Sequence, residues 1–232
     1  MMDFTSDRVL YEDNHYIAVL KLCGDIVQVD KTGDESLLDK VKRFIKDRDA
    51  KPGNVFIEVT HRIDRPVSGV VLFAKTSKGL SRMNNLFQEG KVAKKYWAVV
   101  KNRPPQDSDL LVHYLVRDTK KNKSFVYPRE VHGSKEARLK YTLVGGTKNY
   151  FLLEIDLITG RHHQIRSQLS KIGCPIKGDL KYGFDRSNPD GGIHLHSRSI
   201  SFKHPITDEN VTIFANPPQD AFWNQFLTLN ID

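Results

Sequence analysis

The stretch HRIDRPVSGVVLFAK, His61–Lys75, joins a densely charged loop to a run of apolar residues. Val70–Ala74 contains no polar side chain, which is typical of a strand that is buried on both faces of a sheet. A second strand is predicted just upstream, at Val55–Val59. The loop between the two strands, His61–Gly69, is therefore held at both ends by the core, which makes it a rigid platform for a functional side chain.

Asp64 is the carboxylate of this loop, and it stands between Arg62 and Arg65. Nearby guanidinium groups favour the ionised form of a carboxylate, which suits a nucleophile or a fixed base but not a proton donor. Pro66 and Gly69 are expected to fix the backbone of the loop. The alternative is a surface turn with an Asp–Arg ion pair, and the loop alone does not distinguish the two.

The segments around this loop predict an α+β fold with a largely antiparallel sheet, because strands outnumber helices and mostly follow one another as hairpins. Helices are predicted at Ser36–Asp47, with Ser36 as N-cap, at Ser77–Glu89, with Ser77 as N-cap, at Arg161–Ile172, and after Pro217-Pro218. Further strands are predicted at Val9–Leu22 (a pair with a turn at Asp13-Asn14), Lys95–Lys101, Leu110–Val116, Arg138–Val144, Tyr150–Leu157, Ile193–Phe202 and Val211–Ala215. The one candidate boundary, Lys101–Asp109, is interpreted as a surface loop, so residues 1–232 are expected to form a single domain.

The composition limits the class of protein. The 232 residues carry 36 Lys and Arg against 28 Asp and Glu, a formal net charge of +8. This excess suits a polyanionic partner such as nucleic acid, although a basic surface that serves solubility is the alternative. Cys23 and Cys174 form no CxxC or CxxH pattern, which argues for a reduced environment. No segment predicts a signal region or a membrane span, so we expect a cytoplasmic protein without membrane contact.

A second charged segment is GRHHQIRSQL, Gly160–Leu169, at the start of a predicted helix. His162 and Arg166 would stand one turn apart on that helix. Arg161 and Arg166 near its N-terminus would bind an anion, aided by free backbone N–H groups. An amphipathic helix with a basic, solvated face is the alternative.

Two other segments admit a chemical interpretation. In the basic segment Lys91–Lys101, Tyr96 and Trp97 point to opposite faces of a strand, where such rings stack nucleobases or divide into one core ring and one surface ring. His194 and His196 form an HxH pair, and His162-His163 are adjacent. No HExxH or CxxC spacing accompanies them, so no metal site is predicted, and a metal-dependent hydrolase is the weaker alternative.

Taken together, these segments resemble the RluA-type pseudouridine synthases. That family follows the approximate pattern HRLDxxTSG, K-x-Y-x-A-x-V, GRTHQIRxHLxxxGxPIxGDxxYG and LHAxxLxFxHP. The corresponding segments here are HRIDRPVSG, KKYWAVV, GRHHQIRSQLSKIGCPIKGDLKYG and LHSRSISFKHPIT, in the same order. The resemblance implies the pseudouridine synthase catalytic-domain fold, a mixed but mainly antiparallel sheet with flanking helices and a central cleft. It also implies isomerisation of uridine to pseudouridine in RNA without a cofactor or a metal.

The resemblance assigns roles to individual residues. Asp64 matches the aspartate that breaks the N-glycosidic bond, either by adding to the sugar or by removing its 2′ proton. Tyr96 matches the tyrosine that packs against uracil, and Arg166 matches the arginine that pairs with the catalytic carboxylate. Arg62 matches the arginine that enters the RNA stack when the base flips out. The residues expected to contact RNA are Arg62, His61, Arg65, Arg161, Gln164 and Ile165.

Several positions depart from the family pattern. His162 and Gln168 replace a threonine and a histidine, Val67 replaces the threonine of TSG, and LKLCG (Leu20–Gly24) stands where NKPxG is usual. We also expect no accessory RNA-binding domain of the kind that many relatives carry, which is compatible with a tRNA or a small rRNA hairpin as substrate. We expect no obligate protein partner. The main alternative is a non-catalytic RNA-binding or ribosome-assembly protein on the same fold.

Overall fold

The computed structural model describes residues 4–29 and 33–227. In chain order its strands are β1 (Val9–Glu12), β2 (Tyr16–Lys21), β3 (Glu58–Val59), β4 (Ser68–Ala74), β5 (Ala93–Val100), β6 (Ser108–Asp118), β7 (Lys123–Tyr127), β8 (Lys135–Gly146), β9 (Phe151–Leu157), β10 (Leu195–Lys203) and β11 (Asn210–Phe214). Its helices are α1 (Leu37–Arg48), α2 (Ser77–Gln88), α3 (Gln164–Lys171) and α4 (Ala221–Leu227), with short 3-10 helices at Ser6–Arg8 and Leu180–Tyr182. The predicted α+β class is confirmed.

The chain packs as two compact units. The first comprises Met1–Val92 and Ser197–Asn216, and the second comprises Ala93–His196 and Pro217–Asp232. The stretch Lys101–Asp109, the only boundary candidate in the sequence, lies inside the second unit between β5 and the first residues of β6. The interpretation of the whole chain as one catalytic domain stays a prediction.

The first unit is built on the predicted hairpin and the predicted buried strand. β1 and β2 pair antiparallel, and β2 pairs antiparallel with β4, whose seven residues are all buried. The predicted turn between β1 and β2 is confirmed, because the Asp13 carboxylate accepts the backbone N–H groups of His15 and Tyr16 at 2.6 and 2.7 Å. β3 is shorter than the predicted strand, because only its two residues pair with the end of β4.

Two helices of this unit begin at residues whose side chains accept backbone N–H groups. Ser36 caps α1 as predicted, since its Oγ accepts from the N–H of Asp39 at 3.2 Å. The prediction that Ser77 caps α2 is wrong by one residue, because Thr76 Oγ1 accepts from Gly79 at 3.0 Å. Thr76 and Ser77 both carry a hydroxyl group that can cap a helix, so the residue type alone did not indicate which of them is the N-cap. The core beside α2 consists of Tyr16, Ala18, Val70, Leu72, Ala74, Met83, Val92, Ile200, Phe202, Ile213 and Ala215.

The second unit contains an antiparallel sheet in the order β5-β9-β8-β6-β7. The predicted hairpin of β8 and β9 is confirmed. β7 has no counterpart among the predicted strands. It is a short strand at the edge of the sheet order, paired only through residues Lys123–Tyr127 with β6.

The two faces of this sheet are covered by different helices. Tyr96 pairs with Ile155, which pairs with Tyr141, so the three side chains point to one face. That face packs against α3, whose Gln168 amide donates to backbone carbonyls of β6 and β8. Trp97 points to the other face and packs with Trp223 and Phe226 of α4, the helix that was predicted after Pro217-Pro218. Within the described residues, no helix is long and apolar enough to cross a membrane.

Candidate active site

The loop that carries Asp64 belongs to the first unit and turns directly before β4. The N–H of Val67 donates to the carbonyl of Asp64 at 3.0 Å, which closes a four-residue turn with Pro66 at its third position. The side chain of Asp64 is half-buried. The turn therefore gives the carboxylate a defined backbone position at the entrance to a buried strand.

Lys21, the last residue of β2, fastens this turn from inside. Its side chain is fully buried, and its ammonium group donates to the carbonyls of Val67, Arg65 and Leu22 at 2.6, 3.0 and 3.1 Å. Burial lowers the pKa of Lys21 from its ordinary value of 10.5 to about 8, while electrostatic interactions with Asp25, Cys23 and Asp64 raise it. A buried cation thus lies close enough to Asp64 to interact with its charge.

Lys21 is not among the residues predicted from the sequence for this site. The available signal was the segment LKLCG, which departs from NKPxG but keeps the lysine. The backbone of this segment also contacts the loop, since the N–H of Gly24 donates to the carbonyl of Arg65 at 3.1 Å. The departure at Leu20 and Leu22 therefore leaves the loop-fastening lysine in place.

Gly69 is required where the loop enters β4. Its φ of +119° is unfavourable for residues with a side chain, and a Cβ built there would lie 2.3 Å from the backbone oxygen of Ser197. The neighbouring atom is backbone, which cannot rotate away. The expectation that Gly69 fixes the loop is confirmed, and its cause is the close approach of a neighbouring chain segment.

The other loop residues have different surroundings. Nε2 of His61 accepts the N–H of Leu72 in β4 at 3.1 Å, and its ring packs against Phe87 at 5.3 Å. Arg62 and Arg65 are exposed, and Arg65 makes an ion pair with Asp34 at 2.8 Å. His61 therefore helps to hold the loop on β4, while the two arginines are accessible to a ligand. Contact of all three with RNA stays a prediction.

Tyr96 and Trp97 are both buried, so the alternative of one core ring and one surface ring does not describe this strand. Trp97 belongs to the core with Trp223 and Phe226, and its indole N–H donates to the Glu154 carboxylate at 3.3 Å. Tyr96 lies on the opposite face, the one that packs against α3. Its expected contact with uracil stays a prediction.

Arg166 lies on α3 in the second unit and is buried in a bidentate ion pair. Its Nε and Nη2 donate to the two carboxylate oxygens of Asp179 at 2.7 and 2.9 Å. Its guanidinium carbon also lies 5.2 Å from the ring centre of Tyr182. Asp179 and Tyr182 were not predicted as site residues, although both belong to the segment GDLKYG that matches the family pattern. The expected pairing of Arg166 with Asp64, a residue of the other unit, stays a prediction.

The prediction that a helix begins at Arg161 is wrong, because α3 begins at Gln164. His163 adopts a left-handed conformation with φ of +51°, which interrupts the helix. The side chain of Gln164 holds the preceding loop: it accepts from Thr159 Oγ1 at 2.8 Å and from the N–H of Arg161 at 2.9 Å. His162 therefore lies outside the helix, and the argument that it shares a helical face with Arg166 does not hold.

Gln164, Ile165 and Arg161 differ in their access to a ligand. Gln164 is buried and its amide also donates to the carbonyl of Arg138 at 3.1 Å. Ile165 is buried on α3. Arg161 is exposed and its Nε donates to the carbonyl of Glu136 at 2.9 Å. Contact of these three residues with RNA stays a prediction.

Tyr182 is the centre of a polar network beside α3. Its hydroxyl oxygen accepts the N–H of Ser124 in β7 at 2.8 Å and lies 3.0 Å from Nδ1 of His163. Burial, followed by the charges of Arg166 and His162, lowers the pKa of His163 to about 2, so its ring is neutral near pH 7. The tyrosine can then donate its proton to Nδ1. This network joins the edge strand β7 to the helix that carries Arg166.

His162 strengthens the same connection. Its ring stacks on that of His163 at 3.8 Å, its Nδ1 lies 2.9 Å from Ser124 Oγ, and its Nε2 lies 3.1 Å from Asn122 Oδ1. His162, which stands where the family pattern has a threonine, thus holds the end of the β6–β7 hairpin in place. Among the residues that the structure describes, no group of three or more His, Cys, Asp or Glu side chains could hold a metal ion.

Comparisons with known proteins agree with the quoted motifs. A family model described as RNA pseudouridylate synthase matches residues 15–171. The chain is 32% identical to ribosomal large subunit pseudouridine synthase C of Buchnera aphidicola subsp. Schizaphis graminum, over 95% of this chain and 70% of that protein. It is 30% identical to tRNA pseudouridine synthase C of Haemophilus ducreyi, over 94% of this chain and 95% of that protein.

A solved structure shows the same fold. Human RNA pseudouridylate synthase domain containing 4 superimposes with a TM-score of 0.81, over 96% of this chain and 92% of that chain. The sequence identity is 22%, so this likeness concerns the fold alone. It confirms the expected pseudouridine synthase fold.

Proposed function

Because the chain belongs to the RNA pseudouridylate synthase family and is an isomerase of uridine in RNA, we propose that Asp64 carries out the cleavage step. The carboxylate either adds to C1′ of the ribose or removes the 2′ proton, and in both cases the bond between C1′ and N1 of the uracil breaks and N1 takes the electron pair. The freed uracil turns, and its C5 forms a new bond to C1′, which releases the carboxylate or returns the 2′ proton. C5 then loses its proton and N1 gains one, so the product is an isomer of uridine.

The observation that carries this proposal is the fastening of the Asp64 turn by Lys21. The ammonium donates to the carbonyls of Arg65 and Val67, which follow Asp64 in the turn. A carboxylate whose backbone is held in this way loses little freedom when a substrate binds, and such preorganisation is a major source of catalysis. Asp64 is also one of the charged groups that interact electrostatically with the buried ammonium of Lys21.

We assign supporting roles to two residues of the second unit. Tyr96 packs against the uracil ring and assists removal of the C5 proton, and Arg166 pairs with the Asp64 carboxylate. The burial of both side chains supports these roles, because a dry environment strengthens an ion pair and shelters an aromatic contact. The bidentate contact with Asp179 supports the role of Arg166 by fixing the plane of its guanidinium group.

The target uridine must leave the RNA stack to reach a carboxylate, which costs a few kcal/mol. We propose that Arg62 fills the gap, because it is exposed on the same loop as Asp64. Arg65 and Arg161, also exposed, would bind phosphates, and His61, Gln164 and Ile165 would line the path of the RNA.

The substrate is proposed to be a tRNA or an rRNA. The tRNA pseudouridine synthase C of Haemophilus ducreyi aligns with this chain over 95% of its own length, whereas the ribosomal relative from Buchnera aphidicola aligns over 70% of its own length. Mapping of pseudouridine in total RNA from cells with and without the gene identifies the position. A cytoplasmic location and action without an obligate protein partner are part of the same proposal.

The substitution Asp64→Asn tests the catalytic role. Purified wild-type protein is expected to form pseudouridine in RNA without added metal, and the variant is expected to bind the same RNA but form none. Asp208→Asn is the matched control, because Asp208 is an exposed aspartate of the same unit that pairs only with a surface lysine in the described contacts. Normal turnover by Asp64→Asn would refute the assignment.

A further inference from the structure

Within the described residues, no helix covers one face of the second unit's sheet along its outer strands. In β8 the side chains alternate: Ala137, Leu139 and Tyr141 are buried, and the residues between them are exposed. The exposed set continues across the neighbouring strands, because Val112 pairs with Arg138 and Leu110 pairs with Lys140. We name this surface the open face, and it consists of Leu110, Val112, Tyr114, Val116, Phe125, Tyr127, Glu136, Arg138 and Lys140.

The open face lies on the side of the sheet away from Tyr96. Tyr127 pairs with Tyr114, and Tyr114 pairs with Glu136, so these residues share one side. Tyr96 aligns through Ile155 with the buried Tyr141 on the other side. A ligand on the open face is therefore separate from any ligand that contacts Tyr96.

Large apolar side chains are concentrated here. Leu110 and Val112 are 44% and 42% exposed, and Phe125 and Tyr127 are each 37% exposed. Single exposed apolar residues are ordinary, but a contiguous group on one sheet face marks an interaction surface. Phe125 and Tyr127 are two positions apart on β7, so their rings are about 7 Å apart along the strand.

One cation lies beside Phe125, and two more lie on the same face of β8. The ammonium of Lys121 lies 5.9 Å from the ring centre of Phe125, and Arg138 and Lys140 stand opposite Val112 and Leu110. Aromatic rings on a sheet surface, framed by lysine and arginine, bind unpaired nucleobases by stacking while the cations attract the phosphates. A second copy of the chain would suit the apolar residues, but it would bring the same cations together across a symmetric interface.

We propose that the open face binds single-stranded RNA, with one base stacked on Phe125 and the next on Tyr127. This inference rests on the proposed function for the identity of the ligand as RNA, and it adds a contact remote from the Asp64 chemistry. A duplex is not the ligand, because its bases are already stacked on one another and leave no face for the rings.

The test compares the double substitution F125A/Y127A with wild-type protein. The probe is a short, fluorescently labelled oligouridylate, with an RNA duplex of equal length as a second probe. Each stacked base contributes at least about a fivefold gain in affinity, so the double variant, which loses two, is expected to bind the oligouridylate at least about 25-fold more weakly. Its affinity for the duplex is expected to change by less than about twofold.

Phe214→Ala is the matched control. Phe214 is also an exposed phenylalanine on a strand, and an arginine lies 5.5 Å from its ring centre, but it belongs to the first unit. This variant is expected to bind the oligouridylate like wild type. Urea unfolding of all variants verifies that they are folded at the binding temperature.

Three results would overturn the proposal. The first is an oligouridylate affinity of F125A/Y127A equal to that of the wild type. The second is a loss of oligouridylate affinity in Phe214→Ala as large as that in F125A/Y127A. The third is a wild-type protein that is a dimer in gel filtration and an F125A/Y127A variant that is a monomer with the RNA affinity of the wild type. Conversion of uridine to pseudouridine by the wild-type protein is measured in a separate assay. Weakened oligouridylate binding by the double variant without any conversion by the wild type would refute the proposed function and support the open face. Conversion of uridine by the wild type, together with unchanged oligouridylate binding by F125A/Y127A, would support the proposed function and refute the role of the open face.

Discussion

Replacing Lys21 with methionine probes the group that fastens the Asp64 turn. Methionine has a similar length and no charge, so the variant removes the donor to three carbonyls with little change in volume. The carbonyls of Arg65 and Leu22 keep backbone donors, Gly24 and Asp25, at 3.1 and 3.3 Å. The carbonyl of Val67 loses its 2.6 Å partner, and a buried carbonyl that loses its donor costs about 1–3 kcal/mol.

The pH dependence gives the sharper magnitude. The pKa of Lys21 is about 8 in the folded protein against an ordinary value of 10.5, so the unfolded chain binds more protons between these two values. Wild-type stability therefore gains a contribution from this residue as the pH rises through that window, and the protonated form opposes folding below it. At about pH 9.5 the gain is about 2 kcal/mol, from about 1.4 kcal/mol for each unit above 8.

The assay is urea unfolding of the wild type and Lys21→Met at about pH 7.5 and about pH 9.5. Their difference in free energy of unfolding is expected to shift by about 2 kcal/mol in favour of the wild type at the higher pH. Lys78→Met, at an exposed lysine of α2, is the control and is expected to show no such shift. A difference between wild type and Lys21→Met that is the same at both pH values would refute the reading of Lys21 as a buried, titrating group.

Two further substitutions test features of the site. Asp179→Asn removes the charge partner of the buried Arg166 and is expected to lower the free energy of unfolding by about 3 kcal/mol or more, as measured in urea; a loss below about 1 kcal/mol would contradict the importance of this pair. Gly69→Ala places a Cβ against the backbone of Ser197 and is expected to prevent folding to a soluble protein, as judged by circular dichroism and gel filtration. Gly133→Ala also has positive φ but meets no atom within 4 Å, so it is expected to cost only about 1 kcal/mol; equal effects of the two glycine substitutions would exclude the steric explanation.

The sequence predicted the Asp64 loop well, because its signals are local. An apolar run, a proline and a glycine specified a turn that enters a buried strand, and that arrangement is observed. Lys21 was missed because its partners are backbone carbonyls, two of which lie 44 and 46 residues further along the chain. The one signal was the lysine kept in LKLCG, and a lysine at a matching position does not by itself indicate a contact with a distant carbonyl.

The start of α3 shows a different limit. The apolar spacing of Ile165 and Leu169 predicted a helix, but spacing does not report the φ angle of His163. His163 is held by a tertiary contact with the hydroxyl of Tyr182, and the ring of His162 that stacks on it is itself held by Ser124 and Asn122. Tertiary contacts therefore overrode the local preference for another helical turn.

β7 was missed for a related reason. The segment KSFVY is short, follows a polar loop, and has one neighbouring strand in the sheet order. Its register is fixed by pairing with β6 and by the bond from the N–H of Ser124 to the hydroxyl of Tyr182, 58 residues away. The exposed rings of this strand became interpretable only after the register had assigned them to one face.

Each unit fixes one charged residue of the proposed mechanism by its own means. In the first unit, the buried ammonium of Lys21 holds the backbone beside Asp64. In the second unit, Asp179 engages two of the five N–H donors of Arg166, which sets the plane of the guanidinium group. Preorganised charges need no reorganisation during the reaction, which is where electrostatic catalysis gains most. The fastening residues are therefore as informative about the mechanism as the residues that they hold.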